Sequence, residues 1–125
     1  MAFKLRTSKR TEDIIAKLEA SQNLPCYTLV KLAIALSIHK ATPLQAQDFE
    51  TNTLGRELNR QTITGDADAV YKCIIELQEH RHLSDDEFFP KYIKAHIDRG
   101  MPLLELEERY SGDLLTHLSK LDSAL

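Results

Sequence analysis

The sequence predicts a mainly α-helical chain that opens with one short strand, and two patterns carry that reading. Ala2 to Thr7 alternates, with Phe3 and Leu5 to one side and Lys4 and Arg6 to the other, the period of a half-buried strand. After it, apolar residues recur at helical spacing and are broken by Pro and Gly at turn positions. With 125 residues, 42% hydrophobic and 28% charged, the chain makes one ordinary domain with a core and has no room for a second. The expected architecture is a strand or extended segment followed by a helical bundle.

Taken in order, Thr7 or Ser8 caps a first helix whose stripe of Ile14, Ile15 and Leu18 continues to about Gln22. Asn23-Leu24-Pro25 turns the chain, and Pro25 starts a second helix that runs to about Ile38. Tyr27, Leu29, Val30, Leu32, Ala33, Ile34, Ala35, Leu36 and Ile38 cover nearly its whole circumference, with Lys31 as its one charge. A helix apolar all round must be enclosed on most sides, and 125 residues provide few layers to enclose it. We therefore expect a subunit interface there, centred on Leu29, Leu32, Ala33 and Leu36.

Lys40 to Asn52 reads as a connection with one turn of helix, Thr53 to Arg60 as a short amphipathic piece, and Thr62 to Gly65 as a turn. Asp66 to His82 reads as a helix with Val70, Tyr71, Ile74, Ile75 and Leu77 inward; Asp66 and Asp68 suit its positive start. Ser84 to Glu87 has the form of a capping box, but Pro90 would then fall inside the helix at about 3 kcal/mol. The expectation is a short turn, then a helix from Pro90 that buries Tyr92, Ile93 and Ile97 and exits at Gly100. Pro102 to Tyr110 follows as another helix, Ser111-Gly112 breaks it, and Asp113 to about Leu121 closes the chain.

Charge is uneven along this frame. The formal net charge is −3, yet residues 1–40 hold seven bases against three acids and the rest nine bases against sixteen. A basic third at +4 joined to an acidic remainder at −7 is the asymmetry of a chain that meets a polyanion with one end. No apolar stretch approaches the roughly 18 residues of a membrane span, and no leader pattern opens the chain, so a cytoplasmic protein is expected. In that reducing compartment Cys26 and Cys73 read as buried thiols.

Catalytic signals are missing. Gly55, Gly65, Gly100 and Gly112 are too scattered for a phosphate-cradling loop, and neither a nucleophile elbow nor paired zinc-type cysteines occur. His80 and His82 sit about 200° apart on a helix and read as a solvated helix end. No catalytic residue, metal or cofactor is implied. The strand with outward cations followed by two helices has the order of ribbon-helix-helix repressors, whose paired strands enter a DNA groove. Lys4 and Arg6, long cations with no amide beside them, suit phosphates. A third reading gives Cys26 or Cys73 a persulfide in a sulfur relay, an idea that full activity of both Cys→Ser variants would end.

Three blocks carry a more specific resemblance: Leu5-Arg-Thr-Ser-Lys-Arg-Thr11 leading to the apolar Leu29 to Ile38 helix, Leu54-Gly-Arg-Glu-Leu-Asn-Arg60 with Thr62 to Asp68 and Val70-Tyr71, and Tyr92-Ile-Lys-Ala-His-Ile-Asp-Arg-Gly100. Over most of its length the chain resembles the DndE component of bacterial DNA phosphorothioation systems. That resemblance implies a small helical homo-oligomer, dimer or tetramer, which binds the backbone of double-stranded DNA, including at nicks. It would serve partner subunits that catalyse the replacement of a phosphate oxygen by sulfur. The expected DNA contacts are Lys4, Arg6, Lys9, Arg10, Lys17 and Lys31. Arg56, Glu57, Asn59 and Arg60 stand open between an ion-pair network with Asp66 and Asp68 and a partner or DNA contact.

Overall fold

A computed structural model describes residues 2–111 and 114–119. Strand β1 (Lys4–Arg6) leads through Thr7 into α1 (Lys9–Gln22), where the Ser8 hydroxyl accepts the Thr11 amide as N-cap and Asn23 closes the helix in the left-handed conformation. Helix α2 (Cys26–His39) turns back, and one 3₁₀ turn, Ala46–Phe49, interrupts the connection to β2 (Glu57–Asn59). A short α3 (Arg60–Ile63) and a 3₁₀ turn precede α4 (Asp68–Glu79). Then α5 (Asp85–Glu87), a π-helical segment (Phe88–Ile93), α6 (Lys94–Ser111) and α7 (Leu114–Ser119) complete the described chain. The fold is mainly α, as expected.

Helix α6 lies along both α2 and α1, and the core forms where they meet: Ile15 and Leu18 from α1, Leu29, Val30, Ala33 and Ile34 from α2, and Ile97, Met101 and Leu104 from α6 are almost wholly buried. Burial of that kind stabilises by about 1.5–3 kcal/mol per large side chain. Two expected breaks do not occur. The helix passes straight through Gly100 and Pro102, because Gly100 has no positive φ and instead lets the α2 backbone approach. Upstream, both bonds of the Ser84–Glu87 capping box form and Pro90 is retained, the wider π turn absorbing it. The expected break at Gly112 and the helix end near Leu121 lie outside the described residues.

Three further expectations are corrected. Thr53 to Arg60 contains a strand, and β1 pairs antiparallel with it, Lys4 opposite Asn59, Leu5 opposite Leu58 and Arg6 opposite Glu57. A ribbon-helix-helix repressor would pair this strand with its mate in a second subunit; here its partner is intramolecular. On α4 only Ile75 is buried, while Val70, Ile74 and Leu77 are exposed. Polar bonds set that rotation: Gln78 donates to the Ile38 carbonyl, Glu79 accepts the Leu44 amide and Glu76 the Leu83 amide. Cys26 is half-buried and Cys73 exposed, and both are free thiols. No described helix is long and apolar enough to cross a membrane.

The packing of α6 also buries a titratable group. His96 is fully enclosed; its Nδ1 lies 2.8 Å from the Ser37 hydroxyl, which also accepts from Arg99 Nε, while Nε2 has no partner. Burial, with the Arg99 charge nearby, pushes the imidazole down to about 3. An unfolded histidine takes its proton near pH 6.5, so between those values the unfolded chain binds the extra proton and stability falls as pH falls. About 3 kcal/mol should be lost to this group by pH 4.5. In urea titrations at pH 6.5 and 4.5, His96→Asn should show a shallower pH dependence than wild type. Equal slopes would mean that His96 carries no such load.

Candidate nucleic-acid interface

The pairing of β1 with β2 fixes which side chains reach solvent. Leu5 and Leu58 point into the core, and the alternating Lys4, Arg6, Glu57 and Asn59 form the outer face of the ribbon. The Lys4 ammonium lies 3.7 Å from the Glu57 carboxylate, both half-exposed, an ion pair worth little in water. Arg6 donates 3.0 Å to the Gly55 carbonyl and has no acidic partner among the described residues.

One residue past Ser8, α1 begins with Lys9 and Arg10 exposed. Helix N-termini commonly offer amides to a phosphate, but several of these are occupied from within. The Lys9 amide donates to Asn52 Oδ1, the Thr11 amide to Ser8 Oγ, and the Ser8 amide to Asp98 Oδ1. Lys9 is 3.3 Å from Asp13 and 3.8 Å from Glu12, whereas Arg10 has no acidic partner among the described residues.

The structure exposes Lys4 and Arg6 on β1 and Lys9 and Arg10 in the first turn of α1, at the corner where strand meets helix, and gives the other two expected contacts partners elsewhere. Lys17, about two turns further along α1, is paired at 3.3 Å with Glu105. Lys31 stacks over Tyr27 at 5.6 Å and borders a groove between α2 and α4. The expected interface residues divide as well. Leu29 and Ala33 have no exposed surface because α6 covers them within the chain, so they cannot form an outward face; Leu32 and Leu36 remain partly exposed.

Beneath this corner, the three sequence blocks meet. The Thr7 amide donates to the Arg56 carbonyl, Gly55 donates to the Thr7 carbonyl, and the Arg56 amide donates to the Thr7 hydroxyl, all within 3.0 Å. Asp98 of the third block accepts from the amide and hydroxyl of Ser8 and the hydroxyl of Thr11 on one oxygen, and from Thr51 and Lys94 on the other. A Cβ at Gly55 would stand 2.2 Å from the Ser8 carbonyl oxygen, so only glycine fits.

The four open residues all have partners within the chain. Arg56 grips Glu19 with both terminal nitrogens at 3.1–3.2 Å and touches the Cys26 side chain, which holds its guanidinium further up. Glu57 pairs Lys4, and Asn59 caps α3 through the Gln61 amide. Arg60 is buried over the rings of Phe88 and Phe89 and bonds Asp68, Asp85 and the Ala2 carbonyl. Its hydrogen bonds pull both carboxyls below their usual range. The network is structural and includes Asp85 where Asp66 was expected. Sequence reasoning missed Asp98; its signal was an acid four residues after Lys94 on a helix otherwise rich in core residues.

With Lys4, Arg6, Lys9 and Arg10 exposed near the start of the chain and no group of three or more metal-ligating side chains among the described residues, the molecule is a small, mainly helical protein with a cationic N-terminal surface. The family model for the DNA sulphur modification protein DndE matches residues 4–111, and the chain belongs to that family. Among solved structures, it is similar to DndE from Escherichia coli B7A involved in DNA phosphorothioation modification, with TM-score 0.64 and 18% identity over 83% of this chain and 98% of that one. It is similar also to a mutant DndE involved in DNA phosphorothioation, with TM-score 0.62 and 18% identity over 82% and 97% of the two chains. No curated protein matches it. Membership of the family implies involvement in DNA phosphorothioation.

Proposed function

We propose that this chain is a non-catalytic, cytoplasmic component of a DNA sulfur modification system that binds the backbone of double-stranded DNA, nicked duplex included. The observation that carries the reading is the corner of Lys4, Arg6, Lys9 and Arg10, in which Arg6 and Arg10 lack any acidic partner among the described residues. Such side chains meet phosphates, which every sequence presents. The sulfur chemistry then belongs to partner subunits of the complex. Self-association, as a dimer or tetramer, would use the partly exposed Leu32–Leu36 edge of α2 and would multiply the cations along the duplex.

A salt titration tests this. If six to eight phosphates are neutralised by the assembly, log affinity falls against log salt with a slope of about −5 to −7. Changing Lys4, Arg6, Lys9 and Arg10 together to Ala should abolish most binding to intact and nicked duplex alike, whatever the sequence. A folded quadruple variant that binds as wild type would overturn the assignment.

A further inference from the structure

At the end of the ribbon away from Gly55, the Phe3 side chain is 62% exposed and lines a cavity of about 200 Å³ together with Arg60, Gln61, Gly65 and Asp68. The backbone that carries the ring is held. The Phe3 carbonyl accepts the Arg60 amide at 2.7 Å, next to the Lys4–Asn59 pair of the ladder, and the Ala2 carbonyl accepts from Arg60 Nη1 at 2.9 Å. Gly65 has φ +46° and nothing within 4 Å of where a Cβ would stand, so it brings no side chain and leaves its side of the cavity open.

Charge keeps a phosphate out of the cavity itself. All five N–H donors of Arg60 are in use, on Asp68, Asp85 and the Ala2 carbonyl. With two carboxylates against one guanidinium, no cation is left to offer, and the ligand is not an anion. What remains is an exposed aromatic ring and the Gln61 side chain, whose amide has no partner among the described residues and carries donors and an acceptor together. A flat neutral ring with a polar edge complements that pair. The volume lies below the roughly 300–1,000 Å³ of sites for drug-sized ligands, so a single ring system fills it. Nucleobases have this make-up, and they stack on aromatic side chains.

The strand dictates how a base would arrive. Its alternation turns Lys4 and Arg6 outward and Phe3 to the opposite side. Arg6, without an acidic partner among the described residues, stands three residues from Phe3, about 10 Å along the strand and about three base steps of a duplex. A DNA strand whose phosphates meet the outer cations reaches Phe3 only with a base turned out of the stack. We propose that the cavity beside Phe3 binds an unpaired nucleobase of DNA, stacked on the Phe3 ring with its polar edge at Gln61. The inference rests on the DNA-backbone reading above and adds to it a preference for duplex that carries a base outside the helix.

The probes are three labelled duplexes of one length: fully paired, with a single bulged 2-aminopurine, and with an abasic bulge at the same place. Wild type should bind the 2-aminopurine bulge at least about five-fold tighter than either of the others, the low end of what a base–aromatic stack contributes, and should quench its fluorescence. Phe3→Ala, at an exposed position, should remove both the advantage and the quenching while paired-duplex affinity stays as in wild type. Phe3→Trp should keep both. Wild type that binds paired duplex and gains nothing from the bulged base would refute the cavity and leave the DNA reading standing, whereas no binding to any of the three would overturn the DNA reading itself. Phe3→Ala that weakens all three duplexes alike would make the ring a general contact and refute a base site. Phe3→Ala that leaves all three affinities unchanged would refute it too, and would assign the cavity to a side chain of a partner protein.

Discussion

Gly100→Ala should unfold the protein under conditions in which wild type is fully native. A Cβ at this position would stand 1.8 Å from the carbonyl oxygen of Ala33 and 2.6 Å from its carbonyl carbon. Both are backbone atoms, so no rotamer change relieves the overlap; α2 and α6 must separate by more than an ångström. The helix itself would gain about 1 kcal/mol from alanine. That gain is small beside the loss, because Ala33, Ile34, Ile97 and Met101 lie fully buried around this crossing and their contacts open together. A net cost of about 3–5 kcal/mol is expected, a large share of the roughly 5–15 kcal/mol of a domain this size. The melting temperature should fall by ~10–25 °C. Gly65→Ala is the control: φ there is +46° and nothing lies within 4 Å of the added Cβ, so only the left-handed backbone penalty of about 1 kcal/mol applies. If the two variants melted together, the close approach of α2 and α6 would not be the reason for glycine at position 100.

That glycine shows where sequence reading reaches its limit. Gly100-Met-Pro102 has the local form of a helix end, and nothing nearby says that a neighbouring backbone, 67 positions away at Ala33, needs the space. Local signals were legible: the Ser8 cap, the stripe of Ile14, Ile15 and Leu18, the turn at Asn23 to Pro25 and the single turn before β2 all form where the pattern places them. Non-local pairing was not legible. Leu54 to Arg60 is too short to show a clear period, and it becomes a strand because β1 offers it hydrogen bonds across some fifty positions. The rotation of α4 belongs to the same class, since Glu76, Gln78 and Glu79 find partners that no helical wheel includes. Of the basic residues, composition marked out the first third of the chain, while the ion pair that engages Lys17 required Glu105 to be placed beside it.

Asp98→Asn should loosen the same corner from below and separate positioning from charge. The carboxylate is nearly inaccessible and accepts on both oxygens: Thr11 at 2.7 Å and the Ser8 amide and hydroxyl at 3.2 Å on one, Lys94 at 2.7 Å and Thr51 at 2.6 Å on the other. An amide has the same shape but one donor edge, which whichever way it turns must face hydrogen-bond donors, and it leaves the mostly buried Lys94 ammonium without its counter-charge. Breaking a buried charged network from one side costs about 3–5 kcal/mol, and urea unfolding should show it. The amides of Ser8 and Thr11 should exchange hydrogen faster than those in the centre of α6, because their anchor is lost first. The effect on DNA follows from what Asp98 holds. Lys9 and Arg10 start the helix it ties down, and Lys4 and Arg6 stand on the strand that leads into it. Duplex affinity should therefore fall although no cation has been removed, and the salt slope, which counts phosphate contacts, should stay within about one unit of wild type. A variant as stable as wild type would deny Asp98 its anchoring role. Unchanged stability of the corner combined with a slope reduced by several units would mean instead that phosphate contacts come from residues this carboxylate does not position.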